Sequence, residues 1–363
     1  MPPITQAAVP TELAAFQAEK AASDSCFASG SDSCYGSNLE AAQMLTPSPS
    51  ATATLIRDLC ELFKLRVVAL VLVTGWGGFY LGGSGLPLDS RGFYPGSTES
   101  HVSILTGGLW CALLGIGLIS AGAGALNEAF EHRTDARMRR TAGRPVAAGR
   151  FSLAQGIVAG LGALALGGVW LALTTNLLTA ALALLTAFTY VAVYTPLKRV
   201  TALATFIGAF PGAMGPVLGW TAARGHIEWP AVALFAILFV WQFPHLMSIA
   251  WLYRDDYARA GIRVLPVVDP GGRSTVAEAL FFSVVLIPVS LAPWTLGLVG
   301  ATYALLVAAL GLVYLGFTIR FARILRAATE DESRGLARDL LKVSILYLPL
   351  LFAALIFCAA AKH

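Results

Sequence analysis

Long apolar runs separated by short polar segments make up most of the sequence. From residue 55 onward there are nine such runs, each close to the roughly 20 residues that a helix needs to cross a bilayer. They cover residues 67–83, 102–126, 151–173, 177–194, 204–221, 231–253, 279–298, 303–319 and 343–361. The pattern predicts an all-α integral membrane protein with about nine transmembrane helices.

The first 54 residues differ from the rest of the chain. They are rich in Ala, Ser, Thr and Pro, and they lack the charged and apolar regions of a signal peptide. We expect residues 1–54 to form a disordered cytoplasmic tail and residues 55–363 to form one transmembrane domain. Residues 55–66 are amphipathic and would lead into the first span.

Composition agrees with a membrane protein and excludes several other classes. The 363 residues are 56% hydrophobic and 13% charged, and their mean hydropathy is +0.70, unlike a soluble domain or a nucleic-acid-binding protein. Five cysteines without a CxxC pair imply neither a disulfide framework nor a zinc site. Five histidines are too few for a protein that holds several haems by paired axial ligands.

Basic residues are concentrated in every second loop. Twenty-one of the 25 lysines and arginines fall in residues 55–66, 128–150, 195–203, 253–275 and 320–342. The positive-inside rule makes these loops and the amino terminus cytoplasmic, and an odd number of spans places the carboxyl terminus on the opposite side. We therefore expect a multi-pass protein of the cell (inner) membrane.

The second predicted span ends in an acidic and basic segment, residues 127–150. Asn127, Glu131 and Asp135 recur every four residues, so on a helix they spread over roughly 80° of one face and about 12 Å of length. Oxygen ligands in this arrangement suit Mg²⁺, and Arg140 and Arg144 beyond them suit phosphate. The alternative is a solvated loop of mixed charge that obeys the positive-inside rule.

A second acidic motif follows the sixth span, within residues 253–263. Its carboxylates, Asp255 and Asp256, lie on the same side of the membrane as the first motif. Two helix ends presented on one face could complete a single metal and phosphate site, although two unrelated loops would give the same pattern.

His245 is the one clear ionisable residue deep within a predicted span. It lies about 15 Å from the cytoplasmic end by helical rise, and a residue at that depth is a candidate for function. His245 and Asp256 would share a face if the helix ran straight through Pro244. The alternative is a neutral histidine bonded to a neighbouring carbonyl.

Together these features predict a cytoplasmic active site of carboxylates and arginines above a central, helix-lined apolar cavity. Such a site suits a diphosphate head with a long hydrocarbon tail, because magnesium and arginine stabilise the departing diphosphate. The allylic cation then forms in the apolar cavity, where an electron-rich acceptor attacks it. This chemistry is a prenyl transfer.

Five segments of the chain resemble the intramembrane, UbiA-type prenyltransferase superfamily. They are residues 64–74, 127–145, 194–220, 241–245 and 253–267. The resemblance runs from about Leu59 to the carboxyl terminus. The first acidic motif is typical of the whole superfamily, whereas the segments RT-x2-RP, YTPLKR, WQFPH and DDYARAG resemble its haem-modifying branch, the protohaem IX farnesyltransferases or haem O synthases.

The resemblance implies farnesyl diphosphate as donor, haem B as acceptor and haem O as product. A downstream haem A synthase or a terminal oxidase assembly would then be a partner, together with the lipid bilayer. The implied ligands of Mg²⁺ are Asn127, Glu131, Asp135, Asp255 and Asp256, and the implied diphosphate ligands are Arg140, Arg144, Lys198, Arg259 and Lys64. His245 would bind the haem, as an iron ligand or a polar anchor.

Three positions depart from the family's pattern. Lys64-Leu65-Arg66 stands where the family has KPR, and Glu131 stands where it commonly has Asp. In the second motif the two aspartates are adjacent, and the position four after Asp256 is Ala260. This last departure weakens the transfer of the superfamily's metal-ligand scheme.

Two other functions stay open at this point. A prenyltransferase for another aromatic acceptor, such as a quinone or chlorin precursor, needs a similar apolar cavity. A transporter, or a non-catalytic assembly factor for an oxidase, is the alternative from another class. Transporters place charged or unwound elements near the bilayer midplane, whereas here the charges lie at one edge.

Overall fold

The fold was obtained as a computed structural model, which describes residues 51–83 and 108–360. Within these two ranges the chain is helical and contains no strand. The predicted tail, residues 1–54, lies outside the described residues except for 51–54, which already belong to the first helix.

Fourteen α-helices of the described chain are numbered here α1 to α14. They are α1 Ala51–Leu62, α2 Leu65–Gly83, α3 Gly108–Asp135, α4 Leu153–Thr174, α5 Leu177–Phe188, α6 Ala204–Ala213, α7 Gly215–Arg224, α8 Trp229–Leu252, α9 Arg254–Arg259, α10 Leu265–Val268, α11 Arg273–Ser290, α12 Ala292–Thr295, α13 Ala301–Phe321 and α14 Glu330–Ala360. Helix α5 continues through a π-helical turn, Thr189–Tyr194, and a short α-helical piece, Thr195–Leu197. A 3₁₀ turn, Ala322–Arg326, follows α13.

Eight continuous helical stretches in the described ranges are long and apolar enough to cross a membrane. They confirm a multi-pass, all-α membrane protein and correspond to eight of the nine predicted spans. Three begin or end well beyond a predicted bound: α3 continues to Asp135, α11 begins at Arg273, and α14 begins at Glu330. The predicted start of the second span, residues 102–107, lies outside the described residues.

The remaining predicted span, residues 204–221, is a pair of short helices rather than one long helix. Helix α6 ends at Ala213 and α7 begins at Gly215, with Met214 between them. Pro211 and Pro216 flank the break, and a proline supplies no backbone N–H for the helical ladder. The predicted number of nine continuous spans is therefore not confirmed.

Small residues allow two helix pairs to approach closely. Between α2 and α7, a Cβ built on Gly78 would lie 2.0 Å from the Pro216 oxygen, and one on Gly219 would lie 1.8 Å from the Gly75 oxygen. Between α3 and α4, a Cβ on Gly122 would lie 2.7 Å from the Gly160 oxygen. Backbone contact of this kind is a main source of helix association in lipid.

Two groups of buried apolar residues hold the described helices together. The larger is built from α8, α11, α13 and α14, and the smaller from α3, α4, α5 and α7. In the larger group the buried tyrosine hydroxyls are paired: Tyr303 donates to the Ser290 carbonyl at 2.8 Å, and Tyr347 bonds to the Ser290 hydroxyl at 2.9 Å. Such internal pairing is required where lipid offers no hydrogen-bond partner.

Candidate active site

A cavity of about 280 Å³ opens where α3, α5, α6 and α8 converge with the loop that follows α3. One end carries polar and charged side chains, whereas α6 and α8 contribute mostly apolar ones. The polar lining residues are Lys64, Asn127, Glu131, Asp135, Arg140, Thr141, Arg144, Tyr190, Tyr194, Lys198, Thr205, Gln242, Tyr257 and Arg263. Seven of the predicted site residues are therefore brought together in one cavity.

The first acidic motif lies on the cavity-facing side of α3, at its last two turns. Asn127, Glu131 and Asp135 are at most 3% exposed. Their spacing of four residues places them one above the other on a helix, as predicted from the sequence. Each can offer an oxygen atom to the cavity.

Each of these three residues is paired with a cation from another part of the chain. The Lys64 ammonium donates to Asn127 Oδ1, and the Lys198 ammonium pairs with Glu131. Arg144 donates from Nη1 to Asp135 Oδ2 at 2.7 Å. Three oxygen-bearing side chains, predicted to bind a metal, are therefore in direct contact with three cations that are predicted to bind phosphate.

Lys64 reaches the cavity because of a turn between α1 and α2. Its φ angle of 50° is in the left-handed region, which is uncommon for residues other than glycine. Burial lowers the pKa of Lys64 to about 8, and the nearby Arg144 charge acts in the same direction. The turn thus presents an ammonium group whose charge is sensitive to mildly alkaline pH.

Two tyrosines missed by the sequence analysis separate Lys64 from Lys198. Tyr190 and Tyr194 stack with their ring centroids 5.7 Å apart, and each lysine lies 5.9 Å from the centroid of one of these rings. Both belong to the π-helical turn, a distortion that occurs frequently at functional sites. No residue pattern in this apolar segment indicated the extra residue in the turn.

Helices α6 and α8 complete the wall of the cavity. Gln242 of α8 donates from Nε2 to the Ala209 carbonyl at 2.7 Å, which ties the two helices together. Gly208 lies against the Tyr194 ring, where a Cβ would be only 2.6 Å from the ring. The WQFPH segment noted in the sequence therefore contributes Gln242 to the cavity.

The second acidic motif does not line this cavity. Asp256 pairs with Arg259 on the same short helix, α9, and Asp255 pairs with Arg334 of α14 at 3.2 Å. Tyr257 and Arg263 of this segment line the cavity instead, and burial raises the pKa of the Tyr257 hydroxyl. That Asp255, Asp256 and Arg259 join the first motif stays a prediction.

His245 lies on a face of α8 that is turned toward α14 rather than into the cavity. Its Nδ1 atom is 2.7 Å from the Ser344 hydroxyl oxygen, and its ring stacks on Trp241 at 4.9 Å. The Ser344 hydroxyl oxygen also lies 2.7 Å from the Leu341 carbonyl. In the tautomer in which Nδ1 donates to Ser344, Nε2 is an acceptor or ligand. Its approach to a haem stays a prediction.

The oxygen atoms of the first motif fit Mg²⁺. Asp135 Oδ1 is buried and has no hydrogen-bond partner among the described residues, and two carboxylates and an amide form a hard donor set. In the same ranges there is no group of three or more His, Cys, Asp or Glu side chains placed to hold a metal. Mg²⁺ here would need substrate and water oxygens as further ligands.

Comparisons with known proteins agree with this geometry. The model of the UbiA prenyltransferase family matches residues 97–346. A protein of Koribacter versatilis named "Protoheme IX farnesyltransferase" is 49% identical over 86% of this chain and 96% of its own length. One of the same name from Solibacter usitatus is 41% identical over 83% of this chain and 98% of its own length.

Solved structures share the fold at low sequence identity. The structure described as digeranylgeranylglyceryl phosphate synthase has a TM-score of 0.65 at 17% identity and covers 84% of this chain and 99% of its own. A UbiA homologue from Archaeoglobus fulgidus, bound to DMAPP and Mg²⁺, has a TM-score of 0.54 at 16% identity, with 82% and 99% covered.

Proposed function

Because the chain belongs to the UbiA prenyltransferase family, we propose that it transfers the farnesyl group of farnesyl diphosphate to a vinyl group of haem B, giving haem O. The observation that carries the proposal is the set of three contacts, Lys64–Asn127, Lys198–Glu131 and Arg144–Asp135, in one cavity at the end of apolar helices. The names of the similar proteins support the choice of donor and acceptor.

The three contacts explain how the site receives its donor. Before binding, each of the three cations pairs with one oxygen-bearing side chain of the motif, while Asp135 Oδ1 has no hydrogen-bond partner among the described residues. Asn127, Glu131 and Asp135 would hold Mg²⁺ when the donor binds, and the cations released from them would bind phosphate oxygens. The metal would supply Lewis-acid stabilisation of the departing diphosphate. Arg140, which lies over the Tyr253 ring at 5.1 Å, adds a fourth cation at the rim.

The residues below the rim suit the rest of the reaction. The bond from farnesyl C1 to oxygen breaks, its electron pair leaves with the diphosphate, and the Tyr190 and Tyr194 rings offer π-faces to the allylic cation. The haem vinyl group then forms the new carbon–carbon bond. Water adds to the resulting cation and a proton is released, which leaves the hydroxyl of haem O. Leu246 and Met247 line the apolar part.

We further propose in which membrane the protein lies and which of its loops face the cytoplasm. The charge distribution supports a cell (inner) membrane location with the amino terminus and the basic loops cytoplasmic. The cavity then opens to the cytoplasm, where a water-soluble diphosphate product is released. A haem A synthase or a terminal oxidase assembly would receive haem O from within the bilayer.

The direct test uses purified protein with farnesyl diphosphate, Mg²⁺ and haem B. We expect a pigment that is heavier than haem B by one farnesyl group and one hydroxyl group. Mass spectrometry would detect it. Prenylation of a quinone precursor in place of haem would contradict the proposed acceptor. Absence of any prenylated product with Mg²⁺ present would contradict the reaction.

The lowered pKa of Lys64 predicts a pH dependence. As the pH rises through about 8, Lys64 loses its charge, so kcat/KM for farnesyl diphosphate should fall in the range where an ordinary lysine stays protonated. Lys64→Arg keeps the charge and should remove this decline. The measurement is kcat/KM from pH 7 to 9.5. An identical decline in both proteins would assign the effect to another group.

The proposed role of His245 predicts a spectroscopic change. His245→Ala should weaken haem binding and, where Nε2 ligates iron, shift the Soret band, while affinity for farnesyl diphosphate changes little. Ser344→Ala is the matched control, because it removes the partner of Nδ1 but keeps the imidazole. Unchanged haem affinity and spectrum with a lower Tm would assign His245 to packing alone.

A further inference from the structure

The segment between α3 and α4 carries Arg140 and Arg144 without being a regular helix. Its backbone forms successive turns from Ala136 onward. A segment of this kind depends on side-chain contacts for a fixed position, because short turns alone have little stability. The structure shows such contacts on both sides of Arg144.

The first contact comes from Arg150. Its guanidinium forms two hydrogen bonds to the Asp58 carboxylate of α1, at 2.7 and 3.0 Å. Nη2 of the same guanidinium also donates to the carbonyl of Gly143 at 2.7 Å. Asp58 is only 3% exposed. Arg150 thus connects α1 to the residue immediately before Arg144.

The second contact comes from Glu128, which the sequence analysis did not select. Its Oε1 accepts from the backbone N–H of Val146 at 3.1 Å, and the residue is fully buried. Val146 also packs in an apolar cluster with Leu62 and Ala125. The backbone two residues after Arg144 is therefore fixed to α3.

We propose that Asp58, Glu128 and Arg150 are positioning residues, which hold the Arg144 guanidinium at the place where the diphosphate binds. The inference rests on the proposed function, because it assigns a purpose to these contacts through the diphosphate site. It also gives α1 a role beyond leading into the first span: α1 supplies the buried carboxylate that fixes the loop.

Stability alone is a weaker explanation of the Asp58–Arg150 pair. The Arg150 side chain is 34% exposed, but Asp58 is buried and accepts two hydrogen bonds from the guanidinium, so the pair also contributes to the free energy of unfolding. The hydrogen bond from Arg150 to the Gly143 carbonyl links the pair to the residue that precedes Arg144, which is the proposed diphosphate-binding residue. Its effect should therefore appear in ligand affinity as well as in Tm.

The test measures binding of inorganic diphosphate, in the presence of Mg²⁺, by titration calorimetry. Asp58→Asn keeps the size of the side chain and should weaken binding roughly tenfold, an effect typical of coupled neighbouring contacts. Asp58→Glu, which keeps the charge, should restore much of the affinity. Asp339→Asn is the control, because it breaks the Arg320–Asp339 pair elsewhere in the domain. It should change the affinity less than twofold.

A double variant decides whether Asp58 acts through Arg144. Arg144→Lys combined with Asp58→Asn should bind diphosphate no more weakly than Arg144→Lys alone, whereas additive losses would overturn the inference. Diphosphate affinity of Asp58→Asn equal to that of the parent would also overturn it. A parent that binds diphosphate but makes no prenylated haem contradicts the proposed function and leaves the positioning role standing.

Discussion

Asp135→Asn is expected to lower turnover by about 100- to 1,000-fold, the range found when a group that stabilises transition-state charge is removed. The Asp135 carboxylate is fully buried, accepts from Arg144 through Oδ2, and keeps Oδ1 without a hydrogen-bond partner in the described part of the chain. Asparagine removes the charge and one oxygen ligand while preserving size. The measurement is haem O formation at saturating farnesyl diphosphate.

Two further variants separate charge from folding in this prediction. Asp331→Asn changes an exposed acid in the first turn of α14 and should leave turnover unchanged. Glu131→Asp should retain more activity than Glu131→Gln, because it keeps the charge. Turnover of Asp135→Asn within a few-fold of the parent, at equal folded yield, would remove Asp135 from the metal site.

The same assay tests the second acidic motif. If α9 moves toward the cavity when the donor binds, Asp256→Asn should lose turnover as Asp135→Asn does. If Asp256 serves to hold Arg259, as in the contact described above, turnover should stay within a few-fold of the parent. The two results distinguish a metal ligand from a structural ion pair.

Arg144→Lys is expected to raise KM for farnesyl diphosphate about ten- to hundredfold. Lysine keeps the positive charge but loses the planar fork that binds two oxygens at once. It is also too short to hold Asp135 and a phosphate in the same geometry. KM for haem B, measured at saturating farnesyl diphosphate, should change much less.

Arg320→Lys makes the same substitution in an ion pair that does not line the cavity, and it serves as the control. If KM for farnesyl diphosphate is equal in Arg144→Lys and the parent, Arg144 does not bind the diphosphate and its charge serves only the membrane orientation. An equal rise in both KM values would instead indicate a general change in the shape of the cavity.

The first acidic motif could be predicted from the sequence because its geometry is local. A spacing of four residues determines which face of a helix Asn127, Glu131 and Asp135 share, and α3 continues far enough to include all three. Arg144 follows Asp135 by nine residues and could also be predicted from the sequence. Lys64 and Lys198 come from distant segments and could be included only through the resemblance to a family.

Three backbone features of the site could not be predicted from hydropathy. A hydropathy window measures the length of an apolar run but not whether the helix is continuous. Residues 204–221, which are interrupted at Met214, were therefore predicted as one span. The left-handed turn at Lys64 places a charged residue where glycine is more common. The π-helical turn that presents Tyr190 and Tyr194 depends on packing against α6, through contacts such as Gly208 on the Tyr194 ring.

Partners that are far apart in sequence explain the remaining differences. Asp255 meets Arg334, 79 positions later, and His245 meets Ser344, 99 positions later. In both cases α14 supplies the partner. Neither hydrophobic periodicity nor charge counting indicates which helix packs next to α8, so these side chains were predicted to face the cavity instead.

The close contact between α2 and α7 constrains the order in which the protein is built. About 140 residues separate Gly78 from Gly219, so a ribosome adding about 5–20 residues per second completes α7 roughly 7–28 s after α2. During this interval the glycine face of α2 lacks α7 as its partner. A nascent chain that ends before Gly215 therefore lacks the backbone surface of α7 against which α2 packs. The contact between α2 and α7 can form only after α7 has been synthesised.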